Sequence, residues 1–129
     1  MAIAKLATTV LDCPEPRELA AFYATLLGGE LDDDGAGDWV EIVGAGSHVL
    51  AFQRSEGYQP PSWPGTEHPQ QFHLDLDVPR AEWDAAERRA LELGATLLES
   101  DHGTRDWRVY ADPAGHPFCL CAVDEPRRP

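Results

Sequence analysis

Three side chains that could do chemistry lie in two short segments of this 129-residue chain. His73 and Asp75 stand two positions apart, and Cys119 lies in the segment F-C-L-C near the end of the sequence. Side chains two positions apart share a face of a β-strand, so a strand would place His73 beside Asp75. Together with the cysteine they could hold a divalent metal, His73 could act as a general base, or Cys119 could pair with His73 as a nucleophile.

The chain repeats itself, and the repeat indicates which elements position these residues. The segment T-T-V-L-D-C-P-E at 8–15 recurs as H-L-D-L-D-V-P-R at 73–80, an offset of 65 residues. The dipeptide D-W at 38–39 returns at 106–107, where the offset has grown to 68. Two copies of one unit with small loop insertions explain this drift, so the sequence predicts a tandem of two supersecondary modules.

Each module is predicted to have the order βαβββ. Leu19, Phe22, Tyr23 and Leu26 form one apolar stripe with helical spacing, and Gly28 is a fitting end for that helix. Alternating apolar residues between turn signals predict the strands. The first module is predicted to contain strand Leu6–Asp12, helix Pro16–Leu27, and strands Glu30–Leu31, Trp39–Val43 and His48–Arg54. The second is predicted to contain strand Phe72–Val78, helix Ala81–Leu93, and strands Thr96–Glu99, Trp107–Ala111 and Phe118–Ala122.

We therefore expect an α+β fold in which two tandem βαβββ modules with curved mixed sheets form a shared cleft. The length predicts a single domain over residues 1–129. Module one spans about 5–54, a linker follows at 55–71, and module two spans about 72–123. The linker is rich in proline, and its Tyr58 and Trp63 belong either to a lid over a site or to a packed connector.

Strand parity predicts which residues face the cleft. If Leu74 and Leu76 face the helix, His73 and Asp75 lie on the opposite face of the same strand. By the same argument, the cleft-facing side of the strands in the two modules also carries Thr8, Gln53, Asp77, Cys119 and Cys121. A concave surface of such mixed polarity is typical of a ligand pocket. In the alternative interpretation, the aspartates are solvated or bonded to Arg54, Arg105 or Arg108.

Composition excludes several classes of protein. The 23 acidic and 10 basic residues give a net charge of −13, which argues against nucleic acid as a partner because phosphate contacts need a basic surface. The sequence has no apolar run near the ~20 residues that a membrane span needs, and it shows no signal peptide, so we expect a cytoplasmic protein without a membrane partner. The three cysteines do not make a disulfide framework. The acidity either serves solubility or attracts a cationic ligand.

Two segments carry a resemblance to a known family, V-L-D-C-P-E-P-R-E-L-A-A-F-Y-A-T-L-L-G-G at 10–29 and V-Y-A-D-P-A-G-H-P-F-C-L-C at 109–121. The chain resembles the glyoxalase, bleomycin-resistance and extradiol-dioxygenase superfamily, also called the vicinal oxygen chelate (VOC) fold, and within it the small glyoxalase-like domain proteins. The resemblance covers almost the whole chain and implies the two-module fold. One fold hosts many chemistries, so the resemblance implies no single activity.

The resemblance also implies where a metal would bind. Active enzymes of the superfamily usually hold a divalent metal with one ligand from the first strand and one from the last strand of each module, typically His or Gln and Glu. The matching positions are Thr8, Ala51, His73 and Cys119, and only His73 keeps the usual ligand type. We therefore expect a degenerate metal site without a metal cofactor. A divalent metal, if present, would be held by His73 with Asp75 or Cys119.

Two functions stay open at this point. The first is a small-molecule-binding protein like the resistance proteins of the superfamily, with its ligand in the cleft between the modules. The predicted binding residues are Thr8, Gln53, His73, Asp75, Trp107 and Cys119. The second is a lyase or isomerase resembling glyoxalase, with His73 as its catalytic base or as part of a rearranged divalent-metal site. The acidic composition would suit a cationic ligand. The resemblance also implies a homodimer. If the cleft is collapsed, the chain would act only as a dimerising or partner-binding domain.

Overall fold

The computed structural model describes residues 2–124. The chain divides into two compact units, one ending at Gln59 and the other beginning at Pro60, and this boundary lies in the predicted linker 55–71. Within residues 2–124, neither the length nor the apolar character of any helix would allow it to cross a membrane.

The first unit has the predicted order βαβββ. Its elements are β1 (Thr8–Cys13), α1 (Pro16–Leu27), β2 (Glu30–Asp33), β3 (Trp39–Val43) and β4 (Val49–Arg54). The strand order is β1-β4-β3-β2, with β1 parallel to β4 and the other pairs antiparallel. The helix begins at a proline, whose fixed φ suits a first turn, and it ends before Gly28, whose φ is +85°. It buries Tyr23, whose ring stacks on Phe52 of β4 with 5.7 Å between the ring centres.

The second unit repeats this order. Its elements are β5 (Leu74–Pro79), a 3₁₀ turn (Arg80–Glu82), α2 (Trp83–Glu92), β6 (Thr96–Glu99), β7 (Trp107–Ala111) and β8 (Pro117–Val123). The strand order is β5-β8-β7-β6, and β5 is parallel to β8. Tyr110 and Phe118 are buried and stack with 5.4 Å between their ring centres. The predicted α+β fold of two βαβββ modules with mixed sheets is confirmed.

Four predicted boundaries are wrong by about two residues, and one of them is the end of β2, which lies at Asp33 rather than Leu31. β1 starts at Thr8 rather than Leu6, and β5 starts at Leu74 rather than Phe72, because the parallel ladders to β4 and β8 begin there. Leu6 and Phe72 are exposed. The second helix was predicted to begin at Ala81, but that position lies in the 3₁₀ turn, and the α-helix follows it.

Candidate active site

A cavity of about 600 Å³ lies in the second unit, on one face of its sheet. Its lining includes Pro117, Cys119 and Cys121 of β8, while Phe118 and Leu120 between them are buried in the core. The alternation of side chains along a strand produces this division. The predicted parity of the last strand is therefore confirmed.

The register between neighbouring strands arranges the cavity residues in rows. Asp75 on β5 lies opposite Cys119 on β8, and Val109 on β7 lies opposite Cys119 from the other side. Trp107 lies opposite Cys121 in the next row. A carboxylate, a thiol and an indole thus come from three adjacent strands, whose backbone hydrogen bonds fix the spacing between them.

His73 and Asp75 form a polar pair in this cavity. The Nε2 atom of His73 lies 3.1 Å from Oδ1 of Asp75, and both side chains are partly exposed. A carboxylate that holds an imidazole in one orientation is a feature of general acid–base sites. The arginines considered as partners of Asp75 pair with other carboxylates: Arg54 with Asp38, Arg105 with Glu99, and Arg108 with Asp84 and Asp101.

Cys119 lies beside this pair and is only 6% exposed. A carboxylate oxygen of Asp75 lies within 4.8 Å of its sulfur. Burial, followed by the nearby charge of Asp75, raises the pKa of the Cys119 thiol to about 12. The sulfur therefore stays protonated at neutral pH, which argues against a nucleophilic pair of Cys119 and His73 because the thiolate is the nucleophile.

His73, Asp75 and Cys119 are also the one group of three metal-ligating side chains found within residues 2–124. Their potential ligand atoms lie within 4.8 Å of one another. Imidazole, carboxylate and thiolate are all ligands of Zn²⁺, and three protein ligands are the usual number in a catalytic site. In type, number and proximity, these residues fit a divalent metal.

Four of the six predicted binding residues line this cavity, namely His73, Asp75, Trp107 and Cys119. Thr8 and Gln53 lie on β1 and β4 of the first unit. The part of these two residues in ligand binding stays a prediction.

Among the other lining residues are Gln70 and Asp106, whose polar side chains were not among the predicted site residues. The Oε1 atom of Gln70 is buried and has no hydrogen-bond partner among the described residues. Asp106 Oδ1 lies 3.0 Å from Arg80 Nη2. The repeated D-W dipeptide could have drawn attention to Asp106, whereas no pattern in the sequence indicates Gln70. Trp63, considered above as a residue of a lid, also lines the cavity.

The lining is acidic and aromatic. It contains the carboxylates of Asp75 and Asp106 and, in the part of the chain that the structure describes, no Lys or Arg. Trp63 and Trp107 contribute indole rings, and Trp107 is 43% exposed. Indole faces attract cations, and carboxylates do so by their charge.

A sequence model of the family described as "Glyoxalase-like domain" matches residues 8–121. No curated protein matches the chain.

Several solved structures have a similar fold. The fosfomycin resistance protein FosX from Mesorhizobium loti is 13% identical, with a TM-score of 0.72 over 95% of this chain and 94% of that one. A glyoxalase/dioxygenase from Nostoc punctiforme is 20% identical, with a TM-score of 0.71 over 95% of this chain and 93% of that one. A mutant of FosX from Listeria monocytogenes, complexed with Mn(II) and 1S,2S-dihydroxypropylphosphonic acid, is 15% identical, with a TM-score of 0.69 over 95% and 91%. At these identities the likeness shows the fold alone.

Proposed function

Because the chain belongs to the glyoxalase-like domain family, we propose that it binds a small organic molecule in the cavity of its second unit. The observation that carries this proposal is the cavity of about 600 Å³. Pockets for drug-sized ligands measure about 300–1,000 Å³ and combine apolar walls with a few polar groups. Here Trp107, Val109 and Pro117 are apolar lining residues, and His73 and Asp75 are polar ones.

The ligand that suits this cavity best is an organic cation. Asp75 gives the lining a carboxylate that pairs with no Lys or Arg among the ion pairs of the described residues, whereas the carboxylate of Asp106 pairs with Arg80. The guanidinium of Arg105 already lies over one face of Trp107, 5.0 Å from the ring centre. A ligand cation over the other face of Trp107, or over Trp63, would gain about 0.5–2 kcal/mol. The net charge of −13 for the whole chain would also raise the rate at which cations encounter the protein.

We further propose that the metal arrangement of the superfamily is degenerate in this chain. Thr8 and Ala51 stand at two of its four positions, and neither is a good ligand for Zn²⁺, Ni²⁺ or Fe²⁺. Binding of the organic ligand should therefore need no metal.

A lyase or isomerase resembling glyoxalase is a second candidate, favoured by the 3.1 Å contact between His73 Nε2 and Asp75 Oδ1. In one form of this candidate, Asp75 orients the imidazole and His73 takes a proton from the substrate. In the other form, His73, Asp75 and Cys119 hold a divalent ion, which would supply Lewis-acid polarisation of a substrate oxygen.

Thermal unfolding of the metal-stripped protein can test the proposed binding. The ligands are aromatic ammonium compounds, each paired with a neutral compound of the same shape. We expect a saturable rise in Tm with a cation, equivalent to about 2.7 kcal/mol at one hundred times its Kd. Equal shifts with the neutral compounds would contradict a cationic ligand, and a complete lack of shifts would contradict the binding proposal. Substrate turnover that His73→Ala abolishes would instead support the second candidate.

A further inference from the structure

We infer that Gln70 determines which organic cations the cavity of the second unit selects, and that it favours ammonium ions with an N–H group over quaternary ammonium ions. This inference rests on the proposed binding of an organic cation and names the chemical class of that ligand. Three buried side-chain polar atoms within residues 2–124 have no hydrogen-bond partner, and Oε1 of Gln70 is the one that belongs to a residue lining the cavity.

The amide oxygen of Gln70 is an acceptor that no group of the described residues satisfies. Native proteins pair the large majority of their buried polar side-chain atoms, because an unpaired one costs free energy. The last torsion of a glutamine side chain is soft, so rotation of the amide can turn Oε1 towards a donor in the cavity. A ligand that brings an N–H group to Gln70 would supply the partner, and a ligand without one would leave the oxygen unpaired.

A closed loop holds the backbone of Gln70 at the cavity. Ser62 N donates a hydrogen bond to the carbonyl of His68, His68 N donates one to Ser62 Oγ at 3.1 Å, and Ser62 forms an isolated β-bridge with Pro69. Gln70 directly follows this neck and Trp63 lies just inside it, and both line the cavity. A defined backbone position is what a side chain needs if it is to select ligands by a directional bond.

Gln70 recognises a property of the ligand that the charge and the aromatic rings of the lining do not. The negative charge of Asp75 and the indole faces of Trp63 and Trp107 attract any organic cation, including a quaternary one. The amide of Gln70 carries no net charge, so its attraction for a cation depends on a directional hydrogen bond. A site that hydrogen-bonds an N–H group of its ligand discriminates against an analogue without that group.

Two matched cations test this inference: benzyldimethylammonium, which has one N–H group, and benzyltrimethylammonium, which has none. Both carry one positive charge and the same aromatic ring. Isothermal titration calorimetry on the full-length, metal-stripped protein gives the Kd of each compound. We expect the wild type to bind the dimethyl compound at least about 10-fold more tightly, the factor that corresponds to the lower end of the contribution of a hydrogen bond to a charged group.

Gln70→Met and Gln71→Met separate the amide of Gln70 from the rest of the site. Methionine keeps the length of the side chain but offers only a weak acceptor, so the preference of Gln70→Met for the dimethyl compound should fall about 10-fold or more. Gln71 is exposed and is not among the lining residues, so Gln71→Met should keep the preference of the wild type. The ratio of the two Kd values, compared between variants, cancels the difference in hydration between the two compounds.

Several results would overturn the inference. These are equal affinities of the wild type for the two compounds, a preference that persists in Gln70→Met, and an equal loss of preference in Gln71→Met. The Tm of each variant shows whether it folds. If Gln70→Met does not fold, Gln70→Glu takes its place: a carboxylate of similar shape keeps the acceptor, so this variant should keep the preference, and a loss would contradict the role of Gln70.

The role of Gln70 and the proposed binding of a cation fail with different results. If neither compound binds to the wild type, the binding proposal is wrong and the role of Gln70 is wrong with it. If both compounds bind saturably, with the same ratio of Kd values in the wild type and in Gln70→Met, the binding proposal stands and the role of Gln70 alone is refuted.

Discussion

The guanidinium carbon of Arg108 lies 3.9 Å from the centre of the Trp83 indole ring, over its face. The same guanidinium pairs with Asp84 at 2.9 Å and with Asp101 at 3.0 Å, and only 12% of the Arg108 side chain is exposed. Arg108 belongs to β7, Trp83 and Asp84 begin α2, and Asp101 follows β6. Arg108 therefore connects the start of α2 to β7 and to the segment that follows β6. Arg108 is also the sequence neighbour of Trp107, which lines the cavity.

Arg108→Lys should lower the free energy of unfolding by about 1–2 kcal/mol, measured by urea denaturation. Lysine keeps the charge, but it loses the planar fork that bonds two carboxylates and the stacking on Trp83. Arg89→Lys is the control, because Arg89 is exposed on α2 and pairs only with Glu92 among the ion pairs of the described residues. It should change the free energy of unfolding by less than about 0.5 kcal/mol. Losses of the same size in both variants would contradict a special role of Arg108.

Much of the fold could be predicted because its local signals agree. The apolar stripe that includes Leu19 and Tyr23, with a proline before it and Gly28 after it, gave both ends of α1 correctly. Strand alternation placed Asp75 and Cys119 on one face, and their register confirms this. The repeat then predicted the same order of elements in both modules.

The rest of the site depends on contacts between segments that no periodic pattern links. Gln70 and Trp63 reach the cavity from an irregular proline-rich segment, so their positions follow from the path of that segment. The pairing of Arg108 with Asp84 and Asp101 likewise depends on tertiary packing. The shared cleft and the homodimer stay predictions, because alternation within a strand does not determine how one unit or chain meets another.

Gly115→Ala should destabilise the protein more than Gly46→Ala does. Both glycines have a positive φ, +89° and +104°, which costs any other L-residue roughly 1–2 kcal/mol. A Cβ on Gly115 would also lie 2.6 Å from Cβ of Pro60, whereas a Cβ on Gly46 would meet nothing within 4 Å. Overpacking of this kind adds about 1–3 kcal/mol. Urea denaturation of both variants measures the difference in the free energy of unfolding. Equal losses in the two variants would show that Pro60 moves aside without an energetic cost.

The lowered pKa of Asp33 predicts that the folded protein loses stability in acid. A side-chain hydrogen bond from Arg17, followed by a backbone hydrogen bond from Gly35, lowers the pKa of Asp33 from 3.8 to about 2. Because the pKa is lower in the folded state than in the unfolded state, the ionised carboxylate stabilises the fold above about pH 4, and this contribution disappears as the pH falls through about 2.

Asp33→Asn should therefore have a lower Tm than the wild type at pH 7, and the difference should shrink between pH 4 and pH 2. Asp32→Asn removes the same charge from the neighbouring position of β2, and its Tm should stay close to that of the wild type. The interpretation fails if the effect of Asp33→Asn at pH 7 is absent, or if it persists undiminished at pH 2.

Trp107→Ala should weaken the binding of an organic cation by about 2- to 30-fold, which corresponds to a cation–π contribution of about 0.5–2 kcal/mol. The indole lines the cavity opposite Cys121 and is 43% exposed, so its truncation removes contact surface without removing a core residue. Trp107→Phe keeps a smaller aromatic face and should lose less affinity. Isothermal titration calorimetry on metal-free protein measures the affinities.

The control for this prediction comes from the repeat itself. Trp39 occupies the matching D-W dipeptide on β3 of the first unit and is not among the lining residues of the cavity, so Trp39→Ala makes the same truncation outside that set of residues. If the ligand contacts only the lining residues, the affinity of Trp39→Ala for the cation should stay within about twofold of that of the wild type. Equal losses in Trp39→Ala and Trp107→Ala would mean that both repeats contribute to one site, and an unchanged affinity in Trp107→Ala would place the ligand outside this cavity.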